Sequence, residues 1–437
     1  MGLFKSASKV AVTVDLPANA AAEHPRTYAI LTQHADKKGN VADVEGLKQV
    51  VRALNGDDAA KKIPEKGTIA FADLVEMLKA PVTEQEGNCV AWACHDTTGV
   101  LQPFGFDRRA VGPNDISLKI CFAGVCHSDI HQARGEWGNS VYPMVPGHEI
   151  AGIVTAVGAN VKKFAVGDRA GVGCFTDSCS KCEMCKTHNE QHCAEGCLMT
   201  YNAKDKEGTL QQGGYSTHIV VDQDYALKIP AGLPLDKAAP LLCAGITTYS
   251  PLRSYGLDKP GMTVGVVGFG GLGHMAIKYI RAMGGTPVII SHSPGKKEDA
   301  IKQGAKFVLS SDEEQMKAEA GTLNGIIDTV SANHEVTTYF PLLKPFGKYV
   351  LLGVPSAPYT LPAVPMLFQH ISVGGSLIGG IKETQEMLDF SAKHNCTCDI
   401  EVIPIDKINE AYERTIASDV RYRFVIDVQG SLVHPRE

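Results

Sequence analysis

The chain has 437 residues, of which 44% are hydrophobic, and it carries a formal net charge of −6 at pH 7. A chain of this length and composition can form two or three globular domains with substantial hydrophobic cores. Its acidic balance gives no electrostatic reason to expect a nucleic-acid partner, because nucleic-acid-binding proteins usually present a strongly basic surface.

The N-terminus reads Met-Gly-Leu-Phe-Lys-Ser, which fits the N-myristoylation pattern of a glycine after the initiator and a hydroxyl residue at position six. Acylated Gly2 would give only weak membrane association, assisted by Lys5 and Lys9, and a free disordered terminus is the open alternative. No segment approaches the roughly twenty apolar residues of a membrane-spanning helix, and the N-terminus lacks the apolar core of a secretory signal. We therefore expect a cytoplasmic protein, membrane-associated only if Gly2 is acylated.

Residues 1–90 differ in composition from the rest of the chain. They are rich in alanine and lysine, with two amphipathic helical stretches and little strand signal, which predicts a separate, mainly helical extension. Segments around Gly39 and Gly67 faintly resemble the loops of an EF-hand pair. The first three ligand positions of these loops hold His34, Asp36 and Lys38, and Lys62, Pro64 and Lys66. Lysine and proline cannot coordinate Ca²⁺, so calcium binding is not expected.

Two different patterns follow the extension. From Cys89 onward, β-rich runs such as residues 116–122 and 150–157 alternate with turns, which favours an antiparallel, barrel-like domain. From Thr263, the runs TVGVV, PVIIS, FVLSS, GIIDTV, KYVLLG and SVGGSL recur about every twenty residues, as in a parallel sheet of βαβ units. The tail contains a helix, ETQEMLDFSAKH, and two strands, IEVIPI and YRFVIDV, which we expect to rejoin the first β domain.

The most specific motif is a cluster of four cysteines. Cys179, Cys182, Cys185 and Cys193 follow the pattern Cys-x2-Cys-x2-Cys-x7-Cys. Thiolates at this spacing can converge on one Zn²⁺, and four thiolates leave no coordination position open. Disulfides are the less favoured alternative, because clustered cysteines in a reducing compartment more often hold metal. The spacing therefore predicts a structural zinc site.

A second candidate metal set is spread along the chain. Cys126 begins the segment CHSDIH, His148 and Glu149 follow in GHE, and Cys243 lies much later in LLCAGITTY. Two thiols and one imidazole are a known ligand set for catalytic zinc, with an exchangeable fourth position that Glu149 could fill. From the residues alone, a buried His–Glu pair with two core cysteines remains an open alternative.

A glycine-rich segment lies between the strand-like TVGVV and a helix-like run. Its residues are Gly268, Phe269, Gly270, Gly271, Leu272 and Gly273. Glycines at such a turn allow backbone amides and a helix N-terminus to approach a pyrophosphate, which predicts a dinucleotide site in preference to a flexible loop.

The turn after the second strand of this region bears on the cofactor. NAD-binding domains place an acidic residue about twenty residues beyond the glycines to accept hydrogen bonds from the ribose, and its charge would repel a 2′-phosphate. This chain has hydroxyls and cations there instead, at Ser291, His292, Ser293 and Lys296. The turn therefore predicts a preference for NADP(H), and an exposed polar turn is the alternative.

These segments occur together in the order found in one family. On GVCHSDIHQ, VPGHEIAGIVTAVG, the four-cysteine lobe, LLCAGITTYSPL, GVVGFGGLGHMAIK and GGSLIGG, the chain from Cys89 onward resembles the medium-chain zinc-dependent alcohol dehydrogenases, cinnamyl alcohol dehydrogenase branch. The resemblance implies an α/β fold. Its parts would be a GroES-like β-barrel-type catalytic domain (91–243 and 380–437), a doubly wound, parallel-sheet Rossmann domain (244–379) and the extension 1–90.

The resemblance also implies roles for individual residues. Cys126, His148 and Cys243 would bind a catalytic zinc, with Glu149 as a transient ligand, so that each chain would hold two zinc ions. Ser128 would lie beside the substrate oxygen, and His131 would relay its proton to solvent through the cofactor ribose. Further cofactor contacts are expected at Thr247, Thr329, Gly353, Val354, Ser376, Leu377 and Ile378, although the apolar members would serve equally as sheet core.

The activity implied is the reversible reduction of aldehydes to primary alcohols with NADPH, in a homodimer. Trp137 and Met199, with Leu377 and Ile378, are candidates to line an apolar pocket suited to aromatic or medium-chain aldehydes. The tryptophan that lignin-type members carry before a Tyr-Asn pair is absent here, so monolignol specificity is not predicted. The alternative is a non-catalytic scaffold that serves the N-terminal module. The intact ligand and relay residues favour the enzyme.

Overall fold

The structure is a computed structural model, and it describes residues 12–15, 31, 44, 47–48, 51, 61–64, 67–78, 87–355 and 357–432. Gly2 and the EF-hand-like segment around Gly39 lie outside these residues, and the predictions made for them stay predictions. The chain divides into two compact units, Met1–Asp107 with Ile130–Met144 and Arg108–Asp129 with Val145–Glu437. The domain bounds inferred from the sequence likewise stay a prediction. No described helix combines the length and apolar character needed to cross a membrane.

The first unit contains a small hydrophobic core beside two short parallel strands. Strand β1 (Val12–Asp15) pairs with β2 (Gly67–Ala70), and helix α1 (Phe71–Leu78) follows β2 directly. The core consists of the buried side chains of Val14, Leu31, Leu47, Val51, Ile63, Ile69, Phe71 and Leu74. The sequence did not predict these strands, because four residues give too little alternation to be recognised. The same unit holds an antiparallel pair, β3 (Cys89–Cys94) and β4 (Leu101–Phe106).

A seven-stranded sheet lies in the second unit. In chain order, the first elements of this unit, inside and outside the sheet, are β5 (Asp115–Gly124), α2 (His127–Ala133), β6 (Ile150–Val157), β7 (Arg169–Val172), β8 (Phe175–Asp177), α3 (Glu183–Lys186), β9 (Leu198–Met199), β10 (His218–Asp222), β11 (Leu227–Lys228), α4 (Leu235–Ala238) and α5 (Ala244–Ser254). Helix α2 begins in this unit and ends in the first. The ten-residue strand β5 is long enough to pair antiparallel with both β6 and β10. The predicted antiparallel β domain is therefore confirmed.

The remaining chain forms a parallel sheet and then returns to the first one. Its elements are β12 (Thr263–Val267), α6 (Gly273–Ala282), β13 (Thr286–Ser291), α7 (Lys297–Lys302), β14 (Lys306–Leu309), α8 (Glu313–Ala318), β15 (Leu323–Asp328), β16 (Leu343–Leu351), α9 (Ala363–Gln369), β17 (Ser372–Gly375), α10 (Ile381–His394), β18 (Ile400–Ile403), α11 (Ile408–Ile416), β19 (Arg423–Asp427) and α12 (Val428–Ser431). Strand β19 pairs antiparallel with β5, so the tail rejoins the seven-stranded sheet as predicted.

The six parallel strands run in the order β14-β13-β12-β15-β16-β17. All six correspond to the apolar runs predicted from the sequence, because strands covered on both faces read as continuous apolar segments. The order reverses between β12 and β15, and ligands of such sheets bind in the crevice beyond the carboxyl ends of the strands at that point. We therefore expect ligand-binding residues in the turns that follow β12, β13 and β15.

Close packing between β5 and β6 generates a stability prediction. A Cβ atom added at Gly152 would lie 1.9 Å from the backbone oxygen of Lys119, whereas Gly232 has open space around it. We expect Gly152→Ala to lower the free energy of unfolding by about 3 kcal/mol, because the strands must separate to admit the methyl group. Gly232→Ala, the matched control, should change it by less than about 0.5 kcal/mol. Equal urea midpoints for the two variants would contradict this account of the sheet.

Candidate active site

The four clustered cysteines converge in the lobe between β8 and β9. The sulfurs of Cys179, Cys182, Cys185 and Cys193 lie within 4.8 Å of one another, and those of Cys182 and Cys185 are 3.5 Å apart. Backbone amides point at the sulfurs: Cys179 donates to Cys193 over 3.4 Å, and Ala194 to Cys182 over 3.5 Å. The Ala194 amide lowers the pKa of the Cys182 thiol to about 6. Four thiols with amide support form a donor set that fits a closed, tetrahedral zinc site.

The second set also comes together, although its members lie far apart in sequence. Cys126 precedes α2, His148 and Glu149 precede β6, and Cys243 precedes α5; their ligand atoms lie within 4.8 Å of one another and all four residues are buried. The sulfurs of Cys126 and Cys243 are 3.9 Å apart. The hydrogen bond from Cys243 lowers the pKa of the Cys126 thiol. Within the described ranges, only these two groups of three or more such residues converge this closely.

Asp129 orients the imidazole of the second set. Its fully buried carboxylate accepts a hydrogen bond from His148 Nδ1 over 3.0 Å and from the amides of Cys126 and Gly147 over 2.9 and 3.1 Å. The Tyr215 hydroxyl donates to it over 3.2 Å. Because Nδ1 is engaged, Nε2 is the nitrogen that remains for a metal. This role was not predicted, and the one signal for it in the sequence is an acidic residue three positions after the proposed ligand Cys126.

Glu149 is buried in an ion pair with Arg423 of β19, whose guanidinium donates to Glu149 Oε1. Burial raises the pKa of Glu149 to about 7, against the opposing charge of Arg423. The other carboxylate oxygen, Oε2, has no hydrogen-bond partner among the described residues. A Cβ atom at Gly124 would lie 1.9 Å from Oε2, so glycine is required there. A buried oxygen without a partner, beside two thiols and an imidazole, fits an exchangeable zinc ligand.

The predicted relay residues Ser128 and His131 lie on α2, three residues apart, on one side of the helix. His131 Nδ1 bonds to the Glu136 carboxylate, and its ring centroid lies 5.5 Å from that of Trp137. Trp137 is 44% exposed. Met199, the other candidate pocket residue, lies on β9 and is 43% exposed.

The glycine-rich segment forms the turn between β12 and α6, as predicted. Gly268 has φ +88°, and a Cβ atom there would lie 2.8 Å from Thr329 Oγ1. A Cβ atom at Gly273 would lie 2.3 Å from the Gly268 oxygen, so the helix starts directly against the turn. Gly270 has open space, Leu272 precedes the helix, and the Phe269 ring is buried 5.0 Å from that of Tyr422. This geometry fits a pyrophosphate at the helix N-terminus.

The polar turn predicted to select the cofactor follows β13. Ser291 ends the strand, and its hydroxyl accepts the Ser293 amide over 3.2 Å, while the neighbouring His292 is exposed. Lys296 lines a cleft together with Gly270, Gly271 and Arg421. Burial lowers the pKa of Lys296, and the charge of Arg421 acts in the same direction. Two cations therefore lie beside the glycine turn. Arg421 was not predicted, because it lies far away in sequence, in the tail of the chain.

The other predicted cofactor residues gather at the carboxyl ends of neighbouring strands. Thr329, Gly353 and Ser376 follow β15, β16 and β17, and Thr329 donates to the Val267 carbonyl over 2.8 Å. Thr247 is buried in α5, one turn after Cys243. Of the apolar members, Val354 and Leu377 are 67% and 56% exposed, whereas Ile378 is buried.

Comparisons with known proteins agree with this geometry. Residues 112–231 match the alcohol dehydrogenase GroES-like domain, and residues 271–393 match the zinc-binding dehydrogenase family. A probable mannitol dehydrogenase of Fragaria ananassa is 54% identical over 80% of this chain and 98% of its own length. A cinnamyl alcohol dehydrogenase structure from Sorghum bicolor has TM-score 0.77 and 48% identity, covering 79% of this chain and 99% of that one. CAD from Helicobacter pylori complexed with NADP(H) has TM-score 0.74 and 42% identity, covering 79% and 99%.

The two converging ligand sets, the glycine turn and these extended similarities lead to one assignment. The chain belongs to the medium-chain zinc-dependent alcohol dehydrogenase family, in its cinnamyl alcohol dehydrogenase branch.

Proposed function

We propose that the protein reduces aldehydes to primary alcohols with NADPH, reversibly and with zinc. The observation that carries this proposal is the position of Arg423, which links the second ligand set to the cofactor turn. Its guanidinium pairs with Glu149, and its side chain lies 2.8 Å from where a Cβ atom at Gly271 would be. A dinucleotide on the turn and a substrate at the ligand set would therefore lie on either side of one side chain.

The residues divide the chemical work as follows. When bound, zinc supplies Lewis-acid polarisation of the aldehyde oxygen, and reduced nicotinamide supplies the hydride for the carbonyl carbon. Asp129 keeps the His148 ring oriented through Nδ1. Ser128 Oγ–H donates a proton to the substrate oxygen as the alcohol forms. His131, tied at Nδ1 to Glu136, replaces that proton from solvent through Nε2.

The proposed substrate class is drawn from exposed apolar side chains among the predicted pocket and cofactor residues. Met199 and Leu377, both in the second unit, are 43% and 56% exposed, which supports apolar aldehydes of aromatic or medium-chain type. A panel of cinnamaldehyde, hexanal and an aldose, each assayed with NADPH and with NADH, tests the activity. We expect NADPH-dependent reduction of the two apolar aldehydes. Purified, zinc-replete protein that reduces none of them with either cofactor would contradict the proposal.

The preference for NADPH rests on the turn after β13. Ser291→Asp combined with Lys296→Ala should raise the KM for NADPH by about tenfold or more, because it replaces a donor and a cation by a repelling carboxylate. The KM for NADH should change by less than about threefold. Lys297→Ala is the matched control, since Lys297 is exposed and does not line the cleft with Gly270. Similar efficiency of the unaltered enzyme with both cofactors would refute this interpretation of the turn.

Two zinc ions per chain are proposed, one for each ligand set. Cys182→Ser should lose one ion and lower the thermal midpoint, because it opens a closed thiolate cage. Cys243→Ser should lose the other ion with a smaller change of midpoint. Cys197→Ser is the control, because Cys197 lies at the end of the same lobe and belongs to neither ligand set. Elemental analysis and thermal denaturation measure both effects, and equal midpoints for the first two variants would contradict the division into structural and catalytic sites.

A homodimer is proposed from an apolar patch beside the edge strand β17. The patch consists of Phe346, Val364, Leu367 and Phe368, which are 64% to 87% exposed. The centroid of the Phe346 ring lies 4.7 Å from that of His370, a residue of the short segment that joins α9 to β17. Edge strands and exposed apolar clusters are both sites of protein association, and a second copy of the chain would cover them by twofold pairing.

Sedimentation experiments test the dimer. Phe368→Asp should convert the dimer to a monomer at micromolar concentration, because it places a charge in the apolar contact. Val166→Asp, at a valine 63% exposed elsewhere in the second unit, should leave the dimer intact. A monomeric unaltered protein would refute the proposal.

A further inference from the structure

We propose that Glu190, in the four-cysteine lobe, is a positioning residue for the nicotinamide end of the cofactor site. It acts through the loop formed by residues 376–380, which joins β17 to α10. The inference rests on the proposed function in one respect: the adenosine end of the cofactor would lie at the turn after β13. Ser376, Leu377 and Ile378 are expected cofactor contacts, and they follow β17 on the other side of the strand-order reversal, where the nicotinamide end would lie. The inference extends the proposed function because it assigns the four-cysteine lobe a role in cofactor binding.

The first observation is a hydrogen bond over a long distance in sequence. Glu190 Oε2 accepts the backbone amide of Ile381, the first residue of α10, over 3.1 Å. The residue before it, Gly380, has no side chain that could cap the helix. Free amides at a helix N-terminus favour a carboxylate partner, and here the lobe supplies it. The start of α10 is therefore fixed by a residue that lies between the zinc-site residues Cys185 and Cys193.

The second observation is a close approach of backbones at the same point. A Cβ atom at Gly380 would lie 1.9 Å from the His188 carbonyl oxygen and 2.6 Å from Glu190 Oε2. Any other residue at position 380 would push the lobe away from α10. The lobe therefore packs directly against the end of the 376–380 loop at Gly380.

The third observation is the backbone conformation inside the loop. Ile378 has φ 39°, in the left-handed region that β-branched residues rarely adopt. Such a conformation persists only when its surroundings impose it. The upstream end of the loop is held by the Ser376 amide, which donates to the Leu351 carbonyl over 3.1 Å. Glu190 holds the downstream end, so the strained residue lies between two anchors.

A direct consequence is that the two ends of the cofactor should respond differently. The adenosine phosphate end depends on Gly270, Gly271 and Lys296, which line a separate cleft that Glu190 does not reach. Loss of the Glu190 carboxylate should relax only the loop, and with it the contacts to the nicotinamide.

The experiment compares two ligands on zinc-replete protein. The dissociation constants of NADPH and of 2′-phospho-ADP-ribose, which lacks the nicotinamide, are measured by calorimetry. Glu190→Ala should weaken the binding of NADPH by about five- to tenfold, because the loop loses one of its two anchors, and should leave that of 2′-phospho-ADP-ribose within about twofold. Glu190→Gln, which keeps an acceptor oxygen, should restore most of the affinity. Glu195→Ala is the matched control, because Glu195 is in the same lobe but pairs with the exposed Lys181.

A second variant approaches the same contact from the other side. Gly380→Ala should reproduce the selective loss of NADPH affinity, since its methyl group displaces His188 and Glu190. Equal weakening of both ligands, no weakening of either, or loss of zinc from Glu190→Ala would overturn the inference, because the carboxylate would then serve the fold or the lobe alone. Binding is measured without an aldehyde, so a protein that binds NADPH but reduces no aldehyde would refute the proposed activity and leave this test intact.

Discussion

The buried ion pair between Glu149 and Arg423 is the interaction on which the site depends. Both side chains are almost fully shielded from water, and each charge would be costly to bury without the other. The pair joins residues 274 positions apart in the chain. Through this pair, β19, the last strand in the chain, contacts the second ligand set. The side chain of the same arginine also lies beside Gly271 of the glycine turn. A Cβ atom at Gly124 would lie 1.9 Å from Glu149 Oε2 and one at Gly271 would lie 2.8 Å from the Arg423 side chain, so a larger residue at either position would disturb the pair.

This ion pair also illustrates what the sequence could and could not reveal. The four-cysteine set and the glycine turn are local, because their members lie close together in sequence and their chemistry needs a specific spacing. The parallel strands were equally accessible through their continuous apolar runs. Arg421 and Arg423 lie in a segment that carries no motif, and Glu190 occupies an unspecified position between Cys185 and Cys193. The roles of all three arise from contacts made only after the chain has folded. The pair β1 and β2 was missed for a related reason, since each strand has four residues and its partner lies about fifty residues away.

The two ligand sets differ in the kind of support that their sulfurs receive. In the lobe, backbone amides from within the same short segment point at the thiols, so the cage can form from local structure. In the second set, the support comes from side chains: Asp129 orients His148, and Arg423 balances Glu149. In the second set, Glu149 Oε2 has no hydrogen-bond partner among the described residues, which fits an exchangeable ligand position. Four thiols leave no such position open. This difference in architecture is consistent with the proposed division into a structural and a catalytic zinc site.

The cofactor cleft shows how an acidic protein creates a positive region. The turn after β13 is followed by Asp299, whose charge would oppose a phosphate, but this carboxylate accepts hydrogen bonds from the Arg421 guanidinium and the Tyr422 hydroxyl over 3.0 and 3.2 Å. The Asp299 carboxylate is therefore bound by the tail residues Arg421 and Tyr422. Lys296, in contrast, lines the cleft beside the glycine turn. The tail residues 421–423 thus act at three places: Arg421 at the acid, Tyr422 against Phe269, and Arg423 at the ligand set. Because this segment leads into β19, the return of the chain to the first sheet places Arg421 at the cleft proposed for the cofactor phosphate and Arg423 at the second ligand set.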